Sequence, residues 1–403
     1  MAKTGLVLSG GGARGAYEAG VLYYLFVDAP DELREVAQFR VLCGTSVGAL
    51  SCSALASTMH QPAVGVRRFA EMWRTLSIDQ VLELSLSDLV GLPAWLTGRS
   101  QRESIFPGEP VRKLIEDSID WERIHVNLED GLLDAVSLTC TQVPTGKTAV
   151  FYETSDGRPL KFSRDPHVRP VHARLQPEHA LASAAIPFVF PPVPIDGIPY
   201  VDGGLRQNTP LSPALRLGSD RLLVVGVGHH AGGAQEAERR MLEVASPVSI
   251  LGKVVNALML DHVDYDLIRL SHVNRLLANG EGVFGEQFIS RLNTMVTPIR
   301  GARYRIIPHL VLRPSRDLGH MAAQHVRGGD LSSSRSVTRR LLRTLARLES
   351  RDEADLTSYL LFDGRYCEDL INLGIEDARA QHNKLLDLFT GKLGEDISQA
   401  ALG

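Results

Sequence analysis

The chain has 403 residues, of which 44% are hydrophobic and 22% are charged, and its formal net charge is −4. This composition is typical of a globular protein with a sizeable core, and it excludes a largely disordered chain. The slightly acidic balance argues against nucleic-acid binding, which normally requires a basic face. The length favours two domains, or one large domain with an insertion.

The cysteines, the histidines and the N-terminus indicate neither a metal site nor a targeting segment. The four cysteines lack Cys-x-x-Cys spacing and the histidines lack the spacing of metal ligands, so we expect neither a metal site nor a disulfide framework. The first apolar stretch is too short for a signal peptide, and no run of eighteen apolar residues could span a membrane. We therefore expect a cytoplasmic protein whose contact with a membrane would be peripheral.

The first part of the chain alternates strands with helices. A buried strand is predicted at residues 5–9, followed by the glycine-rich turn 10–15 (GGGARG) and a helix to Phe26. A second strand is predicted at 39–43, with a helix over 47–58. This alternation indicates an α/β fold in which helices cover both faces of a mostly parallel sheet.

From about residue 62 to residue 121, glycines and prolines interrupt helical segments, which predicts a helical insertion. Further elements are predicted as strands at 132–142, 148–152, 198–201 and 221–228, a short helix at 179–185 and an extended segment at 188–194. Later elements are predicted as helices at 235–277, 334–348 and 375–389, with one more strand at 304–312. We therefore predict an α/β domain over residues 1–235 and a mostly helical C-terminal extension over 236–403.

A serine lies at the predicted turn between the second strand and its helix. Residues 44–48 (GTSVG) match Gly-x-Ser-x-Gly, in which Gly44 and Gly48 leave room for a sharp elbow that presents Ser46. The N-terminus of the following helix favours developing negative charge at the serine. The pattern is typical of a nucleophilic serine, although the pentapeptide alone also matches ordinary turns.

The glycine-rich turn allows two interpretations. Residues 10–15 match the Gly-x-Gly-x-x-Gly of a dinucleotide site, but the second strand would then end in an acidic residue, and here it ends at Ser46. Backbone N–H groups of consecutive glycines at this sheet edge could instead bind an oxyanion, and the context favours this interpretation. Arg14 would then hold the loop, attract an anionic head group, or only support the helix start.

An aspartate follows the predicted strand at 198–201. A carboxylate at this place, with Gly203 and Gly204 after it, can reach the serine of a neighbouring strand and accept its proton. An isolated Asp-Gly such as Asp202-Gly203 is more often only a turn. His229 and His230 end a later strand, so the chain order serine, acid, histidine would also allow a triad.

Residues 10–15, 44–48 and 202–204 (DGG), in this order, resemble the motifs of the patatin-like phospholipase family, as do residues 182–188 (ASAAIPF). The resemblance covers about residues 5–230. It implies a three-layer patatin-like α/β fold and a catalytic Ser–Asp dyad without histidine.

In the implied dyad, Ser46 attacks an acyl ester carbonyl and Asp202 serves as its base. Gly203 and Gly204 complete the proton-acceptor motif. The implied oxyanion hole consists of Gly10, Gly11, Gly12, Arg14 and Gly15. The resemblance thus implies a serine lipid acyl hydrolase of the phospholipase A or lysophospholipase type, which uses neither metal nor cofactor and releases its acyl-enzyme with a water activated by Asp202.

The expected substrate is a lipid or another acyl ester, reached through peripheral membrane contact. Residues 82–96 could form a lid or interfacial contact, and residues 334–348 a basic face for anionic lipid, although a packed segment and a solvated helix are the simpler interpretations. Two alternatives remain open. One is a carboxylesterase or thioesterase on soluble acyl esters, and the other is a catalytically silent lipid-binding module.

Overall fold

The computed structural model describes residues 2–83, 104–159, 165–229, 247–300, 303–328, 338, 342–344 and 355–393. The strands in these ranges are β1 (Thr4–Leu8), β2 (Val41–Thr45), β3 (Ala135–Gln142), β4 (Thr148–Thr154), β5 (Val168–His172), β6 (Val193–Ile195), β7 (Ile198–Asp202), β8 (Arg221–Val225) and β9 (His309–Leu312). They form one sheet in the order β5-β4-β3-β2-β1-β8-β9, and β7 pairs with β3 and β6. The central pairs from β3 to β9 are parallel, which confirms the predicted mostly parallel sheet.

The helices connect and cover these strands. Among the described residues of the first half of the chain, the α-helices are α1 (Gly15–Tyr23), α2 (Asp31–Arg34), α3 (Val47–Ser57), α4 (Pro62–Thr75), α5 (Ile78–Val81), α6 (Glu109–Ser118), α7 (Trp121–Glu129), α8 (Pro177–Ser183) and α9 (Leu211–Arg216). In the second half they are α10 (Pro247–Phe284), α11 (Phe288–Arg300), α12 (Leu318–Gly328), α13 (Asp355–Leu360), α14 (Gly364–Ala380) and α15 (His382–Thr390).

Alternate residues of the central strands serve two cores, one on each face of the sheet. In β1, Leu6 and Leu8 belong to one core and Val7 to the other, as the two-residue period of a strand requires. The first core includes side chains of α1, α3 and α14, and the second includes side chains of α9 and α10. Helices therefore cover both faces, and the predicted three-layer α/β architecture is confirmed.

The strand boundaries near the site differ from the sequence-based expectation. β2 continues to Thr45 rather than ending at residue 43, because Gly44 and Thr45 pair with Leu138 and Thr139 of β3. The extension matters for the site, since it carries the chain to the edge of the sheet immediately before Ser46.

Other local predictions are corrected by tertiary contacts. The predicted extended segment at 188–194 is wrong over its first part, because Phe188 lies in a turn with φ +68° and only Val193–Ile195 forms a strand. The predicted helix at 375–389 is two helices, α14 and α15, which are separated at Gln381. β5 was not predicted and pairs in parallel with β4.

The C-terminal part of the chain contributes to the same sheet and core as the first part. β9 pairs in parallel with β8 within the predicted range 304–312. α14 packs along α1, and its residues Leu370 and Ile371 are fully buried. The predicted domain boundary near residue 235 stays a prediction, since residues 230–246 lie outside the described part of the chain.

Two predicted surface features also fall mostly outside the described residues. Only the first two residues of the predicted lid at 82–96 are described, and the basic helix at 334–348 is described only at residues 338 and 342–344. The predicted insertion at about 62–121 contains α4, α5 and α6, around the undescribed residues 84–103. None of the described helices combines the length and the apolar content needed to cross a bilayer.

Candidate active site

The strand register brings Ser46 and Asp202 together at one edge of the sheet. Thr45, the residue before Ser46, pairs with Thr139 of β3, and Asp202 at the end of β7 pairs with the next residue of β3, Cys140. Ser46 Oγ donates a hydrogen bond of 2.6 Å to Asp202 Oδ2. Both side chains are buried, with 3% and 0% exposure. Two residues 156 positions apart in the chain thus form a directly hydrogen-bonded pair.

Ser46 occupies a strained elbow between β2 and α3. Its φ of +55° and ψ of −125° are unusual for a residue with a side chain, and such strain is concentrated at functional sites. Gly44 and Gly48 allow the elbow to close, because a Cβ on Gly44 would overlap the Gly48 carbonyl and a Cβ on Gly48 would overlap the Leu8 carbonyl. The two glycines therefore lie where the sequence pattern placed them.

Ser183 holds the backbone of the elbow and was not singled out by the sequence. Ser46 N–H donates to Ser183 Oγ at 2.9 Å, and Ser183 Oγ donates to the Thr139 carbonyl at 2.6 Å. Ser183 is fully buried at the end of α8. The signal that could have found it is its place within residues 182–188, one of the four stretches that carry the family resemblance.

The environment of Asp202 shifts its proton affinity. Burial raises the pKa of this carboxyl to about 7, while the hydrogen bonds from Ser46 Oγ and from Gly204 N–H work in the opposite direction. The Gly204 bond is 2.7 Å long and is made to Oδ1, so the two carboxylate oxygens have separate partners. Gly203 packs against the Thr139 carbonyl, where a Cβ would not fit. A carboxyl with a pKa near neutrality is suited to accept and return a proton at physiological pH.

The glycine-rich turn lies beside Ser46, but only part of it presents unpaired amides. Gly10 N–H donates to the Asn208 carbonyl at 3.1 Å, Arg14 N–H to the Gly11 carbonyl, and Gly15 N–H back into the turn. The N–H groups of Gly11 and Gly12 have no partner in the described part of the chain. Of the five residues expected to form the oxyanion hole, Gly11 and Gly12 are therefore the ones whose amides are open, whereas the amides of Gly10, Arg14 and Gly15 are hydrogen-bonded.

Asn208 fixes the start of this turn and carried no recognisable signal in the sequence. Its side-chain Nδ2 donates to the Gly10 carbonyl at 3.1 Å, while its own carbonyl accepts the Gly10 N–H. Asn208 is fully buried, and a Cβ on Gly10 would contact both Asn208 and Ser46. Asn208 thus holds the start of the glycine-rich turn next to Ser46.

Arg14 and His229, two other site residues considered from the sequence, form hydrogen bonds to the C-terminal part of the chain. Arg14 is 3% exposed and its guanidinium binds Asp355 and Ser358 of α13, so it supports the loop and does not present charge to a head group. His229 Nδ1 lies 3.0 Å from the Pro314 carbonyl, whereas the Asp202 carboxylate binds Ser46 and Gly204. The structure does not assemble a triad through His229, and His230 lies outside the described residues.

The fold and site together define a three-layer α/β protein with a serine elbow at the edge of its sheet. The model of the family described as Patatin-like phospholipase matches residues 6–215, which is slightly more than half of the chain. The chain belongs to the patatin-like phospholipase family. A search of curated proteins gives no significant match.

Several solved structures share low similarity with this chain. VipD from Legionella pneumophila is 13% identical with a TM-score of 0.36, over 92% of this chain and 67% of that one. Human GIVD cytosolic phospholipase A2, in complex with methyl gamma-linolenyl fluorophosphonate, is 13% identical with a TM-score of 0.39, over 97% of this chain and 59% of that one. The match in the ExoU–SpcU complex from Pseudomonas aeruginosa is 18% identical with a TM-score of 0.28, over 95% of this chain and 76% of that one. At these TM-scores the likeness carries no argument about activity.

Proposed function

We propose that this protein is a serine lipid acyl hydrolase of the phospholipase A or lysophospholipase type, with Ser46 as nucleophile and Asp202 as base. The observation that carries the proposal is the 2.6 Å hydrogen bond from Ser46 Oγ to Asp202 Oδ2, made by a buried pair at a strained elbow. Membership of the patatin-like phospholipase family supports a lipid ester as the substrate class. A nucleophile within hydrogen-bond reach of its base is the geometry that such catalysis requires.

The proposed reaction proceeds in two steps on these residues. Ser46 Oγ attacks the acyl carbonyl while Asp202 takes its proton, and the carbonyl oxygen becomes an oxyanion facing the N–H groups of Gly11 and Gly12. Asp202 then gives the proton to the leaving alcohol, and the acyl group remains on Ser46. A water activated by Asp202 hydrolyses this acyl-enzyme and restores the free serine.

A mostly apolar cavity lies between α6, the end of α8 and β6, and it is suited to an acyl chain. It has a volume of about 300 Å³, and its lining includes the apolar residues Leu181, Ala184, Ala185 and Phe190 as well as Glu109 and Arg112. The Ala185 carbonyl accepts the Asp202 N–H at 2.9 Å, so the wall of the cavity is bonded directly to the catalytic strand. Apolar pockets next to a few polar groups are the usual form of a lipid or small-molecule site.

The first test is loss of hydrolysis and of covalent labelling in Ser46→Ala. We expect kcat on an acyl ester to fall by about 10⁴-fold or more, since removing a nucleophile eliminates the acyl-enzyme route. Mass spectrometry after fluorophosphonate treatment should place the label on Ser46 in the wild type and show much slower labelling in Asp202→Asn. Ser315→Ala, which changes an exposed serine, is the matched control and should behave as the wild type.

The substrate is tested in the same preparation with a short-chain soluble ester and with phospholipid vesicles. Faster turnover of vesicle lipid supports the lipid hydrolase, and turnover of the soluble ester alone supports a carboxylesterase. Hydrolysis that persists in Ser46→Ala would refute the assignment of the nucleophile. A wild type that neither labels nor hydrolyses in the presence of vesicles would favour a silent lipid-binding module.

A further inference from the structure

The Arg14 side chain connects the glycine-rich turn to a helix more than 340 residues later in the chain. Arg14 Nε donates to Ser358 Oγ at 2.8 Å, and Nη2 forms an ion pair of 3.0 Å with Asp355 Oδ1. The guanidinium also lies 4.1 Å from the centre of the Tyr359 ring. All three partners belong to α13, and Ser358 Oγ in turn donates to the Asp355 carbonyl. This is a buried, multiply bonded contact of the kind that an arginine fork makes well.

A second contact between the same two segments involves the backbone. Gly12 has φ +56°, and its Cα faces the Tyr359 carbonyl so closely that a Cβ would overlap that oxygen. Gly12 carries one of the two unpaired amides, and the other belongs to Gly11, whose carbonyl accepts the Arg14 N–H. A displacement of Arg14 or Tyr359 would therefore shift the amides of both Gly11 and Gly12.

α13 packs against α12 and α10, and its Leu360 lies in the first core. Asp363, at the start of α14, is fully buried, accepts the Arg365 N–H and lies 3.1 Å from His325 Nε2 of α12. α14 packs along α1, the helix that begins at the end of the glycine-rich turn. α13, which binds the Arg14 side chain, is thus part of the packed core and can hold that side chain in one position.

We propose that Asp355 and Ser358 of α13 are positioning residues for the oxyanion site, acting through Arg14 on the N–H groups of Gly11 and Gly12. The effect of these two residues on catalysis rests on the proposed function, whereas their effect on the conformation of the turn does not. Oxyanion stabilisation depends on donors that are already oriented before the charge develops. A turn with three consecutive glycines has little intrinsic preference for one conformation, so the orientation must come from outside the turn.

The test uses Asp355→Asn and Ser358→Ala in the full chain, with two separate readouts. Kinetics on a short-chain ester should show kcat lowered by about 10- to 100-fold with KM nearly unchanged, because the lost interaction acts on the transition state. Hydrogen exchange, followed on the peptide that covers residues 9–16, should be faster in both variants than in the wild type. Asp369→Asn, which changes an exposed aspartate of α14, is the matched control and should leave both readouts unchanged.

The outcomes separate the two proposals. Wild-type exchange at residues 9–16 together with wild-type kcat in both variants would overturn the positioning role. A fall in kcat that is matched by loss of the folded fraction in thermal melting would also overturn it, in favour of a general stability effect. If Ser46→Ala hydrolyses the ester like the wild type, the proposed nucleophile fails, and the exchange measurement alone then decides whether α13 orders the turn.

Discussion

At the scale of single residues, two buried side chains, Ser183 and Asn208, hold the segments next to the proposed nucleophile. Ser46 and Asp202 each lie in a short local pattern of glycines at a strand end, which the spacing alone reveals. Ser183 and Asn208 act through hydrogen bonds to segments 137 and 198 positions away, to Ser46 and Gly10. Ser183 lies within residues 182–188, which carry the family resemblance, but no local pattern encodes the contacts of either residue, so only the folded chain shows which backbone groups they bind.

The raised pKa of Asp202 predicts the pH dependence of the reaction. As the proposed base, Asp202 must be ionised to accept the Ser46 proton, and burial raises its pKa from 3.8 to about 7. We expect kcat/KM to rise with pH through about 7 and to level off above it. A profile that is already flat from pH 5 upward would contradict a buried aspartate as the base.

The raised pKa of Asp202 also affects stability: this group should lower the free energy of unfolding as pH rises, whereas activity should increase. Between pH 4 and pH 7 the folded state holds the Asp202 proton more tightly than the unfolded state, so this group makes the folded state less stable as pH rises. Asp202→Asn removes this penalty, and its free energy of unfolding relative to wild type should increase between pH 5 and pH 8. Urea unfolding at the two pH values measures the difference. An unchanged difference would indicate that Asp202 is not buried as described.

At the scale of elements, the end of α8 and the residues just after it contact Ser46, Asp202 and the cavity. α8 supplies Ser183 to the elbow, and its Leu181 lines the cavity, while the carbonyl of Ala185, two residues after α8, accepts the Asp202 N–H. The sequence predicted a helix here, at 179–185 instead of Pro177–Ser183. Its contacts could not be predicted, because they depend on the register of β2, β3 and β7.

Filling the cavity beside α8 should change the preference for acyl-chain length. Ala184→Leu adds three carbon atoms to the lining, so esters with long acyl chains should lose about tenfold in kcat/KM relative to short-chain esters. Ala63→Leu on α4, which is also half-buried, serves as the control for a general effect of the added bulk. Equal losses on short and long chains in Ala184→Leu would exclude the cavity as the acyl site.

At the scale of the whole molecule, the C-terminal part belongs to the structure that carries the site. The sequence correctly indicated mostly helices after residue 235, but not that α14 would cover α1 or that α13 would contact the glycine-rich turn. Helical periodicity reports which face of a helix is apolar and says nothing about which partner covers that face. The long-range pairing of the two halves is therefore the part of the fold that the sequence pattern left open.

This arrangement predicts that a truncation of a single side chain in α14 destabilises the whole protein. Leu370 is fully buried in the core that includes α1, so Leu370→Ala should lower the free energy of unfolding by about 2–5 kcal/mol. Glu368→Ala, two residues away and exposed, should change it by less than about 0.5 kcal/mol. Denaturant unfolding compares them. A small effect of Leu370→Ala would mean that α14 docks weakly on the rest of the core.

The separation in sequence between Arg14 and its partners on α13 has a consequence for synthesis of the chain. The strands and turns that carry Ser46 and Asp202 leave the ribosome before residue 205, whereas Asp355 and Ser358 follow about 150 residues later. At about 5–20 residues per second, a nascent chain holds the complete motif set for roughly 8–30 seconds without the support for its glycine-rich turn. If α13 orders the glycine-rich turn as proposed, a chain that stops before residue 355 carries the proposed nucleophile and base without the contacts that orient the amides of Gly11 and Gly12.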